Sequence, residues 1–146
     1  YTLGSGPDAE DAVADTFAEA WKGIKNLREP EAFRSWMFRI LSARCKRQIA
    51  QIVTRKKEID LDSYYETAEE AMPETATLRP ELSEALGTLS PEERQIVLLS
   101  VLEGYTMREI ASMLEMPQGT VSSKLSRSLK KLRLQLQDTD GKEAAR

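Results

Sequence analysis

Apolar residues recur three and four positions apart along most of the chain, and no stretch shows the two-residue alternation of a half-buried strand. Asp8 reads as the N-cap of a first helix after Gly6-Pro7, with Ala12, Val13, Phe17, Ala20, Trp21 and Ile24 forming one buried stripe. The segment LREPEA, residues 27–32, interrupts with a proline and reads as a loop. A longer helix is predicted from about Ala32 to Val53, with Phe33, Trp36, Met37, Ile40, Leu41, Cys45, Ile49 and Ile52 along its apolar side. From Arg55 to Thr77 the period fails, and EIDLDSYYETAEEAMPETAT reads as a flexible acidic linker.

Helical spacing then resumes. A short helix is predicted from Pro80 to Leu89, with Leu82, Leu86 and Leu89 inward. Ser90-Pro91-Glu92-Glu93 is a helix start, with serine as cap, proline at the first position and glutamate three residues after the cap. That helix carries Ile96, Val97, Leu99 and Leu102 to a stop at Gly104, and Thr106-Met107-Arg108-Glu109 opens the next. Ile110, Ala111 and Leu114 hold this helix down, and Met116-Pro117-Gln118-Gly119 forms a turn. A last helix buries Val121, Leu125, Leu129 and Leu132. The predicted fold is all-α: two small helical domains, 1–54 and 79–137, joined by the linker 55–78, the second domain a helix-turn-helix, with 138–146 a disordered tail.

Charge changes this picture more than composition does. The net charge of −3 conceals blocks: −4 over residues 1–23, +8 over 24–57, −10 over 58–93, and five bases without an acid over 119–137. Two basic blocks on either side of an acidic stretch imply two separate surfaces for polyanions, with solvated helix faces as the bland alternative. On the last helix Thr120, Ser123, Lys124, Arg127 and Lys131 share an outer face. Short polar side chains at a helix start, with cations behind them, suit insertion into a DNA major groove. The polar groups reach base edges and the cations neutralise phosphates. A plain helical hairpin is the competing reading. On the first helix Asp11, Asp15 and Glu19 repeat every fourth residue, a stripe suited to a basic partner helix, although Asp15 also reads as an ordinary solvated acid.

Without histidine and with Cys45 alone, Ser-His and Cys-His catalytic sets are excluded and a zinc site is disfavoured. The lone cysteine fits a reducing cytoplasm, and no apolar run reaches the roughly 20 residues of a membrane span. Nothing calls for a cofactor or a small-molecule substrate, and the chain is not expected to be an enzyme. It begins at Tyr1 with neither an initiator methionine nor a signal pattern. Trp21, Phe17, Trp36 and Phe33 read as core. Phe38, near the stripe's edge, is open between core packing and base stacking, and Cys45 reads as a small core residue.

LSPEERQIVLLSVLEGYTMREIASMLEMPQGTVSSKLSRSLKKLR resembles region 4 of sigma-70-type factors, especially the extracytoplasmic-function (ECF) group. Leu89, Pro91, Arg94, Val97, Glu103, Gly104, Glu109, Ile110, Ala111, Leu114, Pro117, Gly119, Thr120, Val121, Ser123, Leu125 and Arg127 fall in register with that family's signature, the turn proline one place late. DAEDAVADTFAEAWKGIKNLREPEAFRSWMFRILSARC resembles region 2 of the same factors, without that region's first one or two helices. Three positions depart: Ala14 stands for the usual glutamine before the acid, Glu115 for the turn glycine, and Ser122 for a lysine after Thr-Val. Glu115 therefore puts a non-glycine residue where positive φ is favoured.

The resemblance implies a promoter-specificity subunit of bacterial RNA polymerase. Region 4 would read the −35 element through Gln118, Thr120, Ser122, Ser123, Lys124, Arg127 and Lys131. Region 2 would capture the −10 element through Arg28, Arg34, Phe38, Arg39, Lys46 and Arg47. Asp11, Asp15, Thr16 and Glu19 would meet the β′ clamp helices of core polymerase. Promoter DNA, core polymerase and an anti-sigma factor, which the family commonly has, are the implied partners. The alternative function is a stand-alone helix-turn-helix regulator, which would need a dimer on a palindromic site. No dimerisation helix or effector pocket is visible for it, and a protein-binding adaptor would not need Lys124 and Arg127 on one face.

Overall fold

The computed structural model describes residues 1–4, 6–58 and 79–144, with side chains described through Arg55 and from Arg79 to Gln137. Every regular element among these residues is helical. The chain divides into two units, Leu3–Ala71 and, with Tyr1–Thr2, Met72–Arg146. The expected linker from 59 to 78 lies outside the described residues, as do the last two positions of the expected tail.

The first unit is a helix pair, α1 (Pro7–Gly23) and α2 (Phe33–Glu58), connected through two short 3₁₀ turns, Ile24–Asn26 and Pro30–Ala32. Pro7 takes the first helical position, where its missing N–H costs nothing, so the cap is Gly6 and not Asp8. Asp8 instead accepts a hydrogen bond from Arg55 Nη2 at 2.8 Å. That contact lies in the last part of α2, which runs beyond residue 54, the predicted domain end. Leu3, Ala12 and Cys45 form the core, flanked by Ala9, Leu41, Ile49 and Ile52.

The stripe predicted for α1 is buried only in part, at Ala12 and Ala20. Ala12, Thr16 and Ala20 are buried, whereas Val13, Phe17, Trp21 and Ile24 are exposed, Trp21 to 83%. Small side chains let two helices approach closely, and a single partner helix covers only one stripe of α1. The bulkier stripe therefore faces away. At the end of α1, Gly23 serves the same close approach: a Cβ there would lie 3.1 Å from Cζ2 of Trp36. Phe33, predicted as core, is 44% exposed and meets Trp36 at a tilted 6.1 Å between ring centroids.

The second unit contains α3 (Pro80–Gly87), α4 (Pro91–Val97), α5 (Met107–Leu114) and α6 (Gln118–Ala144). Ala85, Leu86, Leu89, Val97 and Leu132 make one core cluster, while Ile96, Ile110 and Val121 are wholly buried. Both predicted capping boxes close. The Ser90 and Thr106 side chains accept from Glu93 N–H and Glu109 N–H, and the two glutamates accept from the cap N–H groups in return. Each such cap stabilises by about 1 kcal/mol.

Two inward assignments fail here for identifiable reasons. Leu98–Leu102 continues α4 as a π-helical turn, whose extra residue shifts the helical phase and turns Leu102 outward, leaving it 52% exposed. In α6 Leu129 is 42% exposed because Ser128, completely buried, occupies the inward position beside it. Helix α6 also starts at Gln118, so Gln118 and Gly119 belong to the helix and not the turn. Its backbone stays helical to Ala144, where a disordered tail from 138 was expected. No proline interrupts this stretch.

Candidate nucleic-acid interface

Helix α5 ends where Glu115 adopts a left-handed conformation, φ 53° and ψ 47°, and Met116 N–H donates to the Ala111 carbonyl at 3.0 Å. The chain reverses through Pro117, whose carbonyl accepts from Thr120 N–H at 3.0 Å in the first turn of α6. Val121, wholly buried, and Leu132 lock α6 against the unit. Burying a side chain such as Val121 contributes about 1.5–3 kcal/mol. This anchoring fixes which residues of α6 face solvent.

Gln118, Thr120, Ser122, Ser123, Arg127 and Lys131 are exposed, and Lys124 retains 25% of its side-chain surface. At about 100° per residue, Thr120, Lys124, Arg127 and Lys131 fall on one strip with Ser123 beside it. Gln118 and Ser122 lie on the opposite edge of the exposed face. The middle of that face holds Ser126 and Lys130, both exposed and neither singled out in the sequence reading. Stepping the helix from Ser123 and Arg127 would have found them.

The cations of α6 are not equivalent. Lys124 Nζ is ion-paired with Glu92, and Lys131 Nζ lies 3.4 Å from Glu93, both acids in the first turn of α4. Arg127 Nε donates to the Ser123 carbonyl at 3.3 Å, and no acid pairs with Arg127 among the described residues. Glu93 also accepts from Ser90 N–H at 3.1 Å. That backbone bond, and then Lys131, hold the Glu93 carboxyl below the ordinary glutamate range. Glu109 is shifted downward as well, by the Thr106 backbone N–H and then the Thr106 hydroxyl. Such pairs were not foreseen, although Glu92 and Glu93 were already visible as acids of the cap.

In the first unit, Asp11, Asp15 and Glu19 are exposed as predicted, on the side of the buried face opposite to Val13, Phe17 and Trp21. Glu19 is ion-paired with Arg44 of α2. Thr16 requires correction: it is 3% exposed, and its Oγ1 donates to the Ala12 carbonyl at 2.6 Å, so it faces α2 and presents nothing outward. Arg28, Arg34, Arg39, Lys46 and Arg47 are exposed and Phe38 is half-buried. Arg39 and Lys46, seven residues apart, share a strip of α2. Arg47 is elsewhere, lining a shallow cleft with Asp8, Asp11 and Arg55.

The second unit also carries an apolar groove of about 450 Å³, formed mainly by Leu82, Leu86, Val97, Leu98, Leu132 and Leu136, with Arg133 at its margin. The π-helical turn opens one side of it through Val101 and Leu102.

Residues 79–132 match the family model for sigma-70 region 4, and residues 1–53 match that for sigma-70 region 2. The chain belongs to the sigma-70 family, in its ECF group. It is 31% identical over 139 residues to the ECF RNA polymerase sigma factor SigE of Mycolicibacterium smegmatis, covering 89% of this chain and 52% of the relative. The chain thus spans about half the length of that relative. Identity to the ECF RNA polymerase sigma-E factor of Escherichia coli is 27% over 133 residues, covering 83% of this chain and 70% of the other. Among solved structures, the sigma factor RpoE in complex with the anti-sigma factor NepR from Bartonella quintana superposes with a TM-score of 0.66. The two share 23% identity over 88% of this chain and 80% of that one, a likeness of fold. Sigma factors are regulatory proteins of transcription initiation and not enzymes. No helix among the described residues is long and apolar enough to cross a membrane.

Proposed function

We propose that this sigma factor binds core RNA polymerase and directs initiation by reading a −35 element with α6 and a −10 element with the basic side of α2 and the loop before it. The observation that carries this reading is the helix-turn-helix. Helix α6 is held by wholly buried Val121 while Thr120, Ser123 and Arg127 stand exposed on its outer face. Polar groups at the start of a fixed helix, with cations one turn on, meet base edges and phosphates together. The exposed acids Asp11 and Asp15 of α1 give the β′ clamp helices a complementary surface. The apolar groove of the second unit offers an anti-sigma factor a docking surface for an amphipathic helix. The solved relative captured with NepR supports that kind of partner.

Co-purification with core polymerase, followed by transcription from a promoter library, tests the proposal. Asp15→Lys is expected to abolish core binding with helical circular dichroism unchanged, and Arg127→Ala to weaken −35 selection while core binding persists. A chain that selects duplex DNA but never associates with core polymerase is a stand-alone regulator, and the sigma reading then fails.

A further inference from the structure

Of the cations on α6, Lys124 and Lys131 are tied to the first turn of α4, while Arg127 has no acidic partner among the described residues. The two acids that hold them differ in duty. Glu93 closes the Ser90 capping box, so its carboxylate is needed by the helix itself. Glu92 has no part in the cap. Its described side-chain contact is the ion pair with Lys124, and it keeps 44% of its side-chain surface exposed. Glu92 therefore sits at the margin of the face that the proposed function assigns to DNA, with its charge directed at one of that face's cations.

We propose that Glu92 is a positioning residue that sets the DNA affinity of the second unit: it holds Lys124 against α4 in the free protein and competes with backbone phosphate for it. This rests on the reading of α6 as the duplex-binding helix. A lysine already paired with a carboxylate adds no net charge to the face, so on its own it releases no condensed counterion when DNA arrives. The pair also holds the stem of Lys124 toward α4, where its side chain is only 25% exposed, so the ammonium is withheld from phosphate until the pair opens. An ammonium ion serves carboxylate and phosphate oxygens alike as a point charge, and the exchange requires no rebuilding of α6.

The test uses the full chain and a mixed-sequence 20-bp duplex, which reads the phosphate component independently of any promoter, at several salt concentrations. Glu92→Gln leaves the capping box intact. It is expected to raise affinity about five- to tenfold near 0.1 M salt and to steepen the salt slope by about 0.9, the increment of one further phosphate contact. In a Lys124→Gln background the same change is expected to raise affinity less than about twofold, because no freed ammonium remains. Arg127→Ala monitors the underlying reading. If Arg127→Ala weakens binding but Glu92→Gln changes neither affinity nor slope, Glu92 is only a surface partner and the inference is overturned alone. An equal gain in both backgrounds also overturns it, since Glu92 would then act by diffuse repulsion and not through Lys124. A loss of affinity in Glu92→Gln overturns it too, showing that the pair is needed to present the lysine. A parent chain without measurable duplex affinity overturns the reading of α6 and the inference together.

Discussion

Glu115 is where the turn of the helix-turn-helix stores a measurable cost. At φ 53° and ψ 47° its Cβ crowds the following carbonyl, a penalty of about 1–2 kcal/mol for a residue with a side chain. The Glu115 side chain is exposed and makes no hydrogen bond or ion pair among the described residues, so its removal forfeits no contact. Glycine relieves the crowding but adds about 0.4–1 kcal/mol of conformational entropy to the unfolded chain. Glu115→Gly is therefore expected to stabilise the second unit by about 0.5–1 kcal/mol. For a unit of this size that corresponds to a rise in melting temperature of about 3–6 °C.

Part of any gain would come from removing a negative charge at the carboxyl end of α5, where the helix dipole disfavours it. Glu115→Gln isolates that share, because it removes the charge and keeps the side chain. Hydrogen exchange of amides in α5 and α6, read by mass spectrometry on the full chain, reports the stability of this unit separately from that of the first. Glu115→Gly should slow exchange across both helices beyond the effect of Glu115→Gln. If glycine protects no more than glutamine, the left-handed turn carries no strain and the reasoning fails.

Four further outcomes follow from the geometry. Trp21→Ala should change stability by less than about 0.5 kcal/mol in urea unfolding, as expected for an exposed side chain; a loss near 3–5 kcal/mol would place Trp21 in a core. Ser128→Ala should stabilise the second unit by about 1 kcal/mol, because the buried Ser128 hydroxyl has no hydrogen-bond partner among the described residues; destabilisation would reveal a bond to it. The folded-state pKa values of Glu93 and Glu109 are depressed, so the stability they contribute is present above the ordinary glutamate pKa and is lost as pH falls through their lowered values. Glu109→Gln, which can still close the capping box but carries no charge, should lower stability slightly near neutral pH and flatten that acid-side decline, and a variant as acid-sensitive as the parent would contradict this. Burial pushes the Cys45 thiol upward, so labelling by a thiol reagent should keep pace with opening of the first unit, and immediate labelling of the native chain would refute it.

The second unit was legible in the sequence because its signals are local. Ser90-Pro91-Glu92-Glu93 and Thr106-Met107-Arg108-Glu109 each specify a helix start within four residues, and both close as written. The departure at Glu115 could be located beforehand through the resemblance to region 4, whose turn glycine it replaces, and its φ is positive. The first unit depended on information the pattern does not hold. Periodicity says which stripe of a helix is apolar, but not which stripe has a partner. On α1 the reading merged Val13, Phe17 and Trp21 with Ala12 and Ala20 into one stripe and omitted Thr16, although only the small residues Ala12, Thr16 and Ala20 are buried. Thr16 was misassigned for the same reason: a polar side chain can be buried when its hydroxyl bonds back to its own helix, as it does to Ala12. The π-helical turn at Leu98–Leu102 is a third case, since a shift of phase within an apolar run leaves no mark on composition.

Charge counting meets the same limit, and there the consequence is functional. Residues 119–137 hold five bases and no acid, so the last helix reads from the sequence as uniformly cationic. In the folded unit two of those five, Lys124 and Lys131, are matched by Glu92 and Glu93, which leaves Arg127, Lys130 and Arg133 without an acidic partner among the described residues. The acids come from the far end of the block that gives residues 58–93 a charge of −10, which the sequence alone presents as one acidic stretch. Folding divides that stretch, because α4 carries its last two acids to the edge of the α6 face. If α6 meets DNA as proposed, a surface built this way would keep its long-range attraction moderate and place uncompensated charge at Arg127, one turn from Ser123 and on the same strip as Thr120. On that proposal, electrostatic affinity that serves every sequence equally would be restrained relative to contacts that depend on which bases are present.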